Sequence, residues 1–325
     1  MMQTRKLGRT GLEVSTLSFG ASSLGSVFRE TDDRESIRTV HSAIDAGLNY
    51  IDVSPYYGLT KAETVLGQAI SELPRDKFLL SSKAGRYGDA EFDFTAERIV
   101  RSVEDSLKRL HTDYLDILFL HDIEFASADI IVEEAVPAMQ ALKRQGKIRF
   151  SGISGLPLAL FEQVLPRIDV DAILSYCHYS LNDDSLLRLL PLLEERGVGV
   201  VNASPLSMGL LGTRPIADWH PAGEALRAAC RRAAEHCAAR GGDIARLAIQ
   251  YSTRNEQVPT TLVSTATPAN IVKNAAWVDE PLDEELLLEV LDILKPVHHL
   301  SWPSGRPEYN DAADLSADAS EEGRP

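Results

Sequence analysis

An α/β fold, specifically a (β/α)8 barrel, is predicted from three observations. Short apolar runs alternate eight times with longer stretches of helical period, each pair is separated by Gly, Pro, Asp or Asn, and no Gly-x-Gly-x-x-Gly follows the first run. Strands joined by helical crossovers pair in parallel, and eight such units close naturally into a barrel. A doubly wound open sheet is the competing arrangement. Against it, the long segment 206–223 after the seventh strand is easier to place as a loop over a barrel mouth.

In chain order, residues 5–14 read as a small hairpin around a glycine-containing turn, ahead of the main fold. Apolar runs ending in a polar or small residue place strands at 17–19, 50–52, 78–82, 114–120, 148–151, 172–175, 198–202 and 261–263. Apolar residues spaced by three and four place helices between them. These cover 33–46, capped by Asp32 and stopped by Gly47; 61–70; 95–110; 132–145, stopped by Gly146; 158–165; 185–195, stopped by Gly197; 244–251; and 268–276. Further helices at 224–239 and 283–294 fall outside the strict alternation. Residues 1–310 are expected to form one barrel domain, and 311–325, with five acids and one arginine among small residues, a disordered acidic tail.

With 325 residues, 44% of them hydrophobic and 25% charged, the chain has an ordinary globular composition. A net charge of −15 argues against nucleic-acid and anionic-membrane surfaces. No run approaches the roughly 20 apolar residues that cross a bilayer, and the first residues lead into no apolar leader, so a cytoplasmic location is expected. Cys177, Cys230 and Cys237 form no Cys-x-x-Cys pair, which fits reduced thiols and no zinc centre. His298-His299, without clustered carboxylates, reads as a solvated pair, and no metal is expected.

In a barrel the chemistry sits at the carboxyl ends of the strands. Asp52 ends the second strand, Tyr57 follows in its loop, Lys83 ends the third and His121 the fourth. An ammonium between a carboxylate and a phenol favours the phenolate, so the Tyr57 pKa is expected below its usual value of about 10. An imidazole nearby can orient a substrate oxygen. The set suits proton transfer at a carbonyl or alcohol oxygen, and nothing in it accepts a hydride, so a cofactor is required.

This Asp, Tyr, Lys and His set, with Gly58 after Tyr57, resembles the aldo-keto reductase superfamily. The resemblance runs from Gly8 to about Asn274 and includes Gly152-Ile153-Ser154 and Ala203-Ser204-Pro205-Leu206. Lys83-Ala84-Gly85-Arg86-Tyr87, His121-Asp122-Ile123-Glu124-Phe125 and Leu300-Ser301-Trp302-Pro303 are similar to its NAD-dependent aldose 1-dehydrogenase branch, which acts on L-galactose, L-fucose and related sugars.

The resemblance implies Asp52, Ser154 and Tyr176 near the nicotinamide, with Gly20, Ser204, Leu206 and Met208 lining its ring and pyrophosphate. Ser264, Thr265, Thr267, Asn270 and Asn274 would follow the adenosine. Two positions depart from the family pattern: Ala203 stands where an aromatic often stacks on the ring, and Gly155 where an Asn usually follows the serine. Ser264 and Asn270 replace the Lys and Arg that clamp a 2′-phosphate, so NAD is expected in preference to NADP. Tyr57, His121, Asp122, His178 and Trp302 are the candidates for holding a small-molecule sugar.

The expected reaction is oxidation of an aldose at its anomeric hydroxyl to the lactone. Alternatives are an NADPH-dependent aldehyde or ketone reductase or a pyridoxal-type dehydrogenase of the same superfamily. From other classes, a Schiff-base aldolase built on Lys83 and a non-catalytic nicotinamide-binding regulator remain open, as do monomer and dimer.

Overall fold

The computed structural model describes residues 2–310; the acidic tail expected at 311–325 lies outside them. Strands β1 (Thr4–Lys6) and β2 (Glu13–Ser15) form an antiparallel hairpin. Then come β3 (Leu17–Gly20), β4 (Tyr50–Asp52), β5 (Leu79–Ala84), β6 (Leu115–Leu120), β7 (Ile148–Gly155), β8 (Ala172–Tyr176), β9 (Gly199–Ala203) and β10 (Thr260–Ser264). These eight are parallel in sequence order, and β10 pairs with β3 to close the barrel.

Alternation along each strand sends one set of side chains inward and the next out toward the helices. The inner set includes Tyr50, Ile117, Phe119, Ala172, Leu174, Val201 and Leu262. Leu7, Leu12 and Val14 pack onto it, so the hairpin plugs the end of the barrel away from the site. Gly152 makes this filling possible, because a Cβ there would lie 2.5 Å from the Phe119 ring. The outer set packs on helices such as Asp33–Asp45, Lys61–Ile70, Ala96–Arg109, Ile244–Arg254 and Pro268–Asp279. The additional helices Glu224–Ala239 and Glu284–Leu294 share a second apolar cluster, where Cys230 and Cys237 are buried as free thiols.

Two α-helices begin several residues later than their sequence reading, each for the same reason. The stretch 132–145 is α-helical only over Val136–Arg144, after a π turn at Ile131–Ala135, and 185–195 begins as a 3-10 turn before the α-helix Leu190–Arg196. Pro137 and Pro191 sit in the first turn of each α segment, where a proline lacks the N–H that a continuing ladder needs. Strand β7 is longer than 148–151, because β8 pairs with it only from Gly152 onward. Among the described residues no helix is long and apolar enough to cross a membrane.

Candidate active site

Asp52 ends β4 opposite Ser81 in register, and Lys83 follows two residues along β5 on the same inward face, one layer nearer the mouth. Lys83 is therefore inside the strand, just short of its end. Ser81 donates to Asp52 Oδ1 at 2.7 Å, which leaves the Tyr50 hydroxyl as donor to Ser81 at 2.8 Å. The Lys83 ammonium pairs with Asp52 Oδ2 and donates to the Val53 carbonyl at 3.0 Å. Burial opposes the lysine's charge, but Asp52 and Tyr57 outweigh it and raise its pKa. An amine kept as ammonium has no lone pair for a carbonyl, so the Schiff-base reading loses its nucleophile.

Tyr57 reaches this pair from a tight turn. Ser54, Pro55 and Tyr56 carbonyls accept from Tyr57, Thr60 and Leu59, and Gly58, Leu59 and Thr60 all have left-handed backbones. Here glycine is required twice: a Cβ on Gly58 would lie 2.0 Å from the Gly25 carbonyl oxygen, and one on Gly25 2.6 Å from that of Tyr57. The contact locks the turn against the loop after β3. Lys83 Nζ is 4.8 Å from the centroid of the Tyr57 ring, and His121 stands edge-on to that ring at 5.6 Å.

Part of Tyr57 stays accessible, yet removal from water pushes its phenol up to about 12, with Lys83 pulling down and Asp52 and Asp122 pushing up. The expected lowering below 10 is thus reversed in sign. Desolvation and two carboxylates outweigh one ammonium, and the tyrosine is a protonated acid at neutral pH.

His121 follows β6, its N–H donating to the Ala84 carbonyl at 2.8 Å. Burial pulls its pKa down to about 3, so the imidazole is neutral. Its Nδ1 lies 2.9 Å from the buried Ser54 hydroxyl, which also accepts from the Tyr56 N–H. Among the described residues that hydroxyl has no other acceptor, so it donates to Nδ1 and leaves the ring proton on Nε2, the nitrogen near Asp122. Asp52, Tyr57, Lys83 and His121 are thus brought together as expected.

The expected cofactor residues follow one stretch of the rim. Ser154 faces inward near the end of β7, donating to the Leu120 carbonyl and accepting from the Asp122 N–H. Tyr176 ends β8, and Ser204, Leu206 and Met208 continue from β9 through left-handed backbone at Ser204, Ser207 and Met208. Gly20 pairs in register with Ser264, whose hydroxyl bonds Ser22 and Ser23. Thr265 and Thr267 lead into the helix Pro268–Asp279, which carries Asn270 and Asn274. Hydroxyls, small residues and a helix N-terminus at the mouth make a donor set that suits a diphosphate, so these residues fit a nicotinamide dinucleotide.

A family model described as "Aldo/keto reductase family" matches residues 16–294. The chain belongs to the aldo/keto reductase family. It is 48% identical to an L-galactose dehydrogenase of Arabidopsis thaliana over 94% of this chain and 98% of the relative. It is 36% identical to a D-arabinose 1-dehydrogenase of Saccharomyces cerevisiae, covering 74% and 75%. Among solved structures, the holo form of an aldo-keto reductase of Bacillus halodurans superposes with a TM-score of 0.76 at 26% identity, covering 96% of this chain and all of that one. As an aldo/keto reductase the protein is an oxidoreductase with a nicotinamide cofactor and a small-molecule substrate.

The remaining candidates in this aldo/keto reductase are less central. His178 is buried with Nδ1 held by Asp183 and Ser185, all within its own loop. Trp302 is buried edge-on to His220, which stacks on Trp219, and Trp219 in turn meets Phe28. Cys177 is buried, with its thiol pushed up by desolvation, which disfavours the thiolate that a nucleophile needs. His298 and His299 both face Asp184, with His299 Nε2 at 2.5 Å.

Glu124 was not singled out from sequence. It is fully buried, with Oε1 accepting from the Leu156 N–H at 3.2 Å and the Ser304 hydroxyl at 2.9 Å, and its carbonyl accepts from Arg306. It therefore ties the final described segment to the rim. Burial, reinforced by Asp122, pushes its carboxyl up to about 8. Its unfolded value is near 4.5, so the folded state holds the proton more tightly. The stability this contributes is complete below about pH 4.5 and is lost as pH rises through 8. Glu124→Gln should remove most of that loss, gaining on the order of 3 kcal/mol over wild type at pH 9 and little at pH 5, as read by urea unfolding.

Proposed function

We propose that the protein oxidises the anomeric hydroxyl of an aldopyranose of the L-galactose or L-fucose type to the lactone, with NAD as the electron acceptor. The observation that carries this is Tyr57 seated over the buried Lys83–Asp52 pair and facing a neutral His121, in a chain nearly half identical to an L-galactose dehydrogenase along its length. A bound nicotinamide supplies the hydride acceptor. His121 Nε2–H holds the reacting oxygen, Tyr57 takes its proton, and the Lys83 ammonium stabilises the phenolate that accepts it.

With the phenol pushed up to about 12, only the ionised fraction serves as base. Oxidation should accelerate by up to tenfold per pH unit above neutrality, while the reverse reduction, which needs the protonated phenol, gains nothing from raised pH.

NAD is favoured because the remaining lysine of the adenosine segment, Lys273, is engaged by Asp243 at 3.3 Å and lies over the Trp277 ring. Arg29, which donates to Thr267 at 3.0 Å, is an exposed loop residue that can reach the same region. The test is kcat/KM with each cofactor on one sugar. A value for NAD at least about tenfold above that for NADP is expected, since one absent charge-assisted contact is worth that much; equality would end the NAD assignment. The buried reduced thiols suit a cytoplasmic enzyme.

A further inference from the structure

Asp122 follows His121 directly, on a left-handed backbone that a non-glycine residue adopts at a cost. Its Oδ2 lies 3.7 Å from His121 Nε2 and 2.6 Å from Arg86 Nη1. Arg86 is itself built in: Nη2 donates to the Tyr56 hydroxyl at 3.0 Å, and the guanidinium lies 3.9 Å over the Tyr56 ring. Its other side meets Phe92 and Phe125, which stack on each other at 4.1 Å. Tyr56 is in turn edge-on to His121 at 5.7 Å and anchored by Asp89.

A buried ion pair is weak evidence for stability, because desolvating both charges costs about what their attraction returns. What this pair does provide is a carboxylate fixed beside the atom that holds the reacting oxygen. Among the described residues its Oδ1 accepts no hydrogen bond, although a carboxylate oxygen has two lone pairs to offer.

Resting on the sugar-oxidation reading above, we propose that Asp122 and Arg86 form a subsite that reads the hydroxyl on the carbon next to the one oxidised. The oxygens of vicinal hydroxyls lie about one hydrogen-bond length apart, a spacing that lets Nε2 of His121 take the reacting oxygen and Asp122 accept from its neighbour. Arg86 acts through Asp122, as a positioning residue that keeps the carboxylate aimed. The substrate class is thereby an aldose with a free 2-hydroxyl, to which simple aldehydes and aromatic aldehydes lacking that group are poor alternatives.

The experiment compares the best aldose of a sugar panel with its 2-deoxy counterpart in wild type, Asp122→Asn, Arg86→Gln and the double variant, which leaves no lone buried charge. Wild type should prefer the 2-hydroxy sugar by roughly 10²-fold in kcat/KM, since a site built around a hydroxyl rejects the analogue without it. Each variant should bring that ratio most of the way to one, largely through KM for the 2-hydroxy sugar. Equal losses on both sugars with the ratio kept, in the double variant as in the single ones, would assign the pair a structural role and overturn the proposal. So would a wild type indifferent to the 2-hydroxyl. A wild type that oxidises no aldose at all while reducing aldehydes would instead remove the reading beneath it.

Discussion

Replacing Tyr57 by Phe is expected to lower kcat for sugar oxidation on the order of 10³- to 10⁴-fold while leaving cofactor affinity near wild type. The ring keeps its place edge-on to His121 and above Lys83, and the Gly25–Gly58 contact that sets the turn is untouched. Only the proton acceptor is lost, and a positioned acid or base contributes roughly that factor. The pH dependence should disappear with it, because the group pushed up to about 12 is no longer present. Steady-state kinetics between pH 7 and 10, with cofactor binding followed by fluorescence, checks both parts. Near-normal turnover in the variant would remove Tyr57 from the reaction.

The second large effect is expected at Asp52. Asp52→Asn strands the Lys83 ammonium, 1% exposed, without a counter-charge, a change that typically costs about 4 kcal/mol. Burial without that counter-charge lowers the lysine's folded pKa below its unfolded one, and release of the proton relieves part of the cost. The unfolded chain then binds more protons, so the variant's stability should rise between pH 7 and 10 as the unfolded lysine also deprotonates. Catalysis falls as well, because a neutral amine no longer pulls the Tyr57 phenol down. Asp52→Asn/Lys83→Met should recover stability without recovering turnover, as urea unfolding and kinetics on the same preparations would show. Loss of stability in the double variant equal to that in the single one would mean that the pair's charge is not the cause.

Much of this site is legible in the chain because strand ends announce themselves. Asp52, Lys83 and His121 each stand within a residue of where a strand ends, and a barrel collects such positions around one mouth. What stayed hidden depends on partners far apart in sequence. Nothing local to Ser54 says that its hydroxyl will meet His121, 67 residues away, and nothing around Ser81 says that it will link Tyr50 to Asp52.

Tyr56 carries Arg86 on its face, a relation fixed only by the turn's backbone. Glu124 was visible as an acid two residues past Asp122 between apolar neighbours, and a charge in that setting is a usable signal. The sign of the Tyr57 shift could not be read from charges alone, since it turned on how much water the folded mouth excludes. Helix boundaries moved where Pro137 and Pro191 break the ladder, a cue that periodicity overlooks.

The central claim is tested most directly by mixing the purified protein with NAD and a panel containing L-galactose, L-fucose and other aldoses at pH 8 to 9, watching for reduced nicotinamide and identifying the product by mass. Reduced cofactor formed in step with a sugar lactone, two hydrogens lighter than the sugar, is the predicted result. No cofactor reduction with any aldose, together with reduction of simple aldehydes by NADPH, would contradict it.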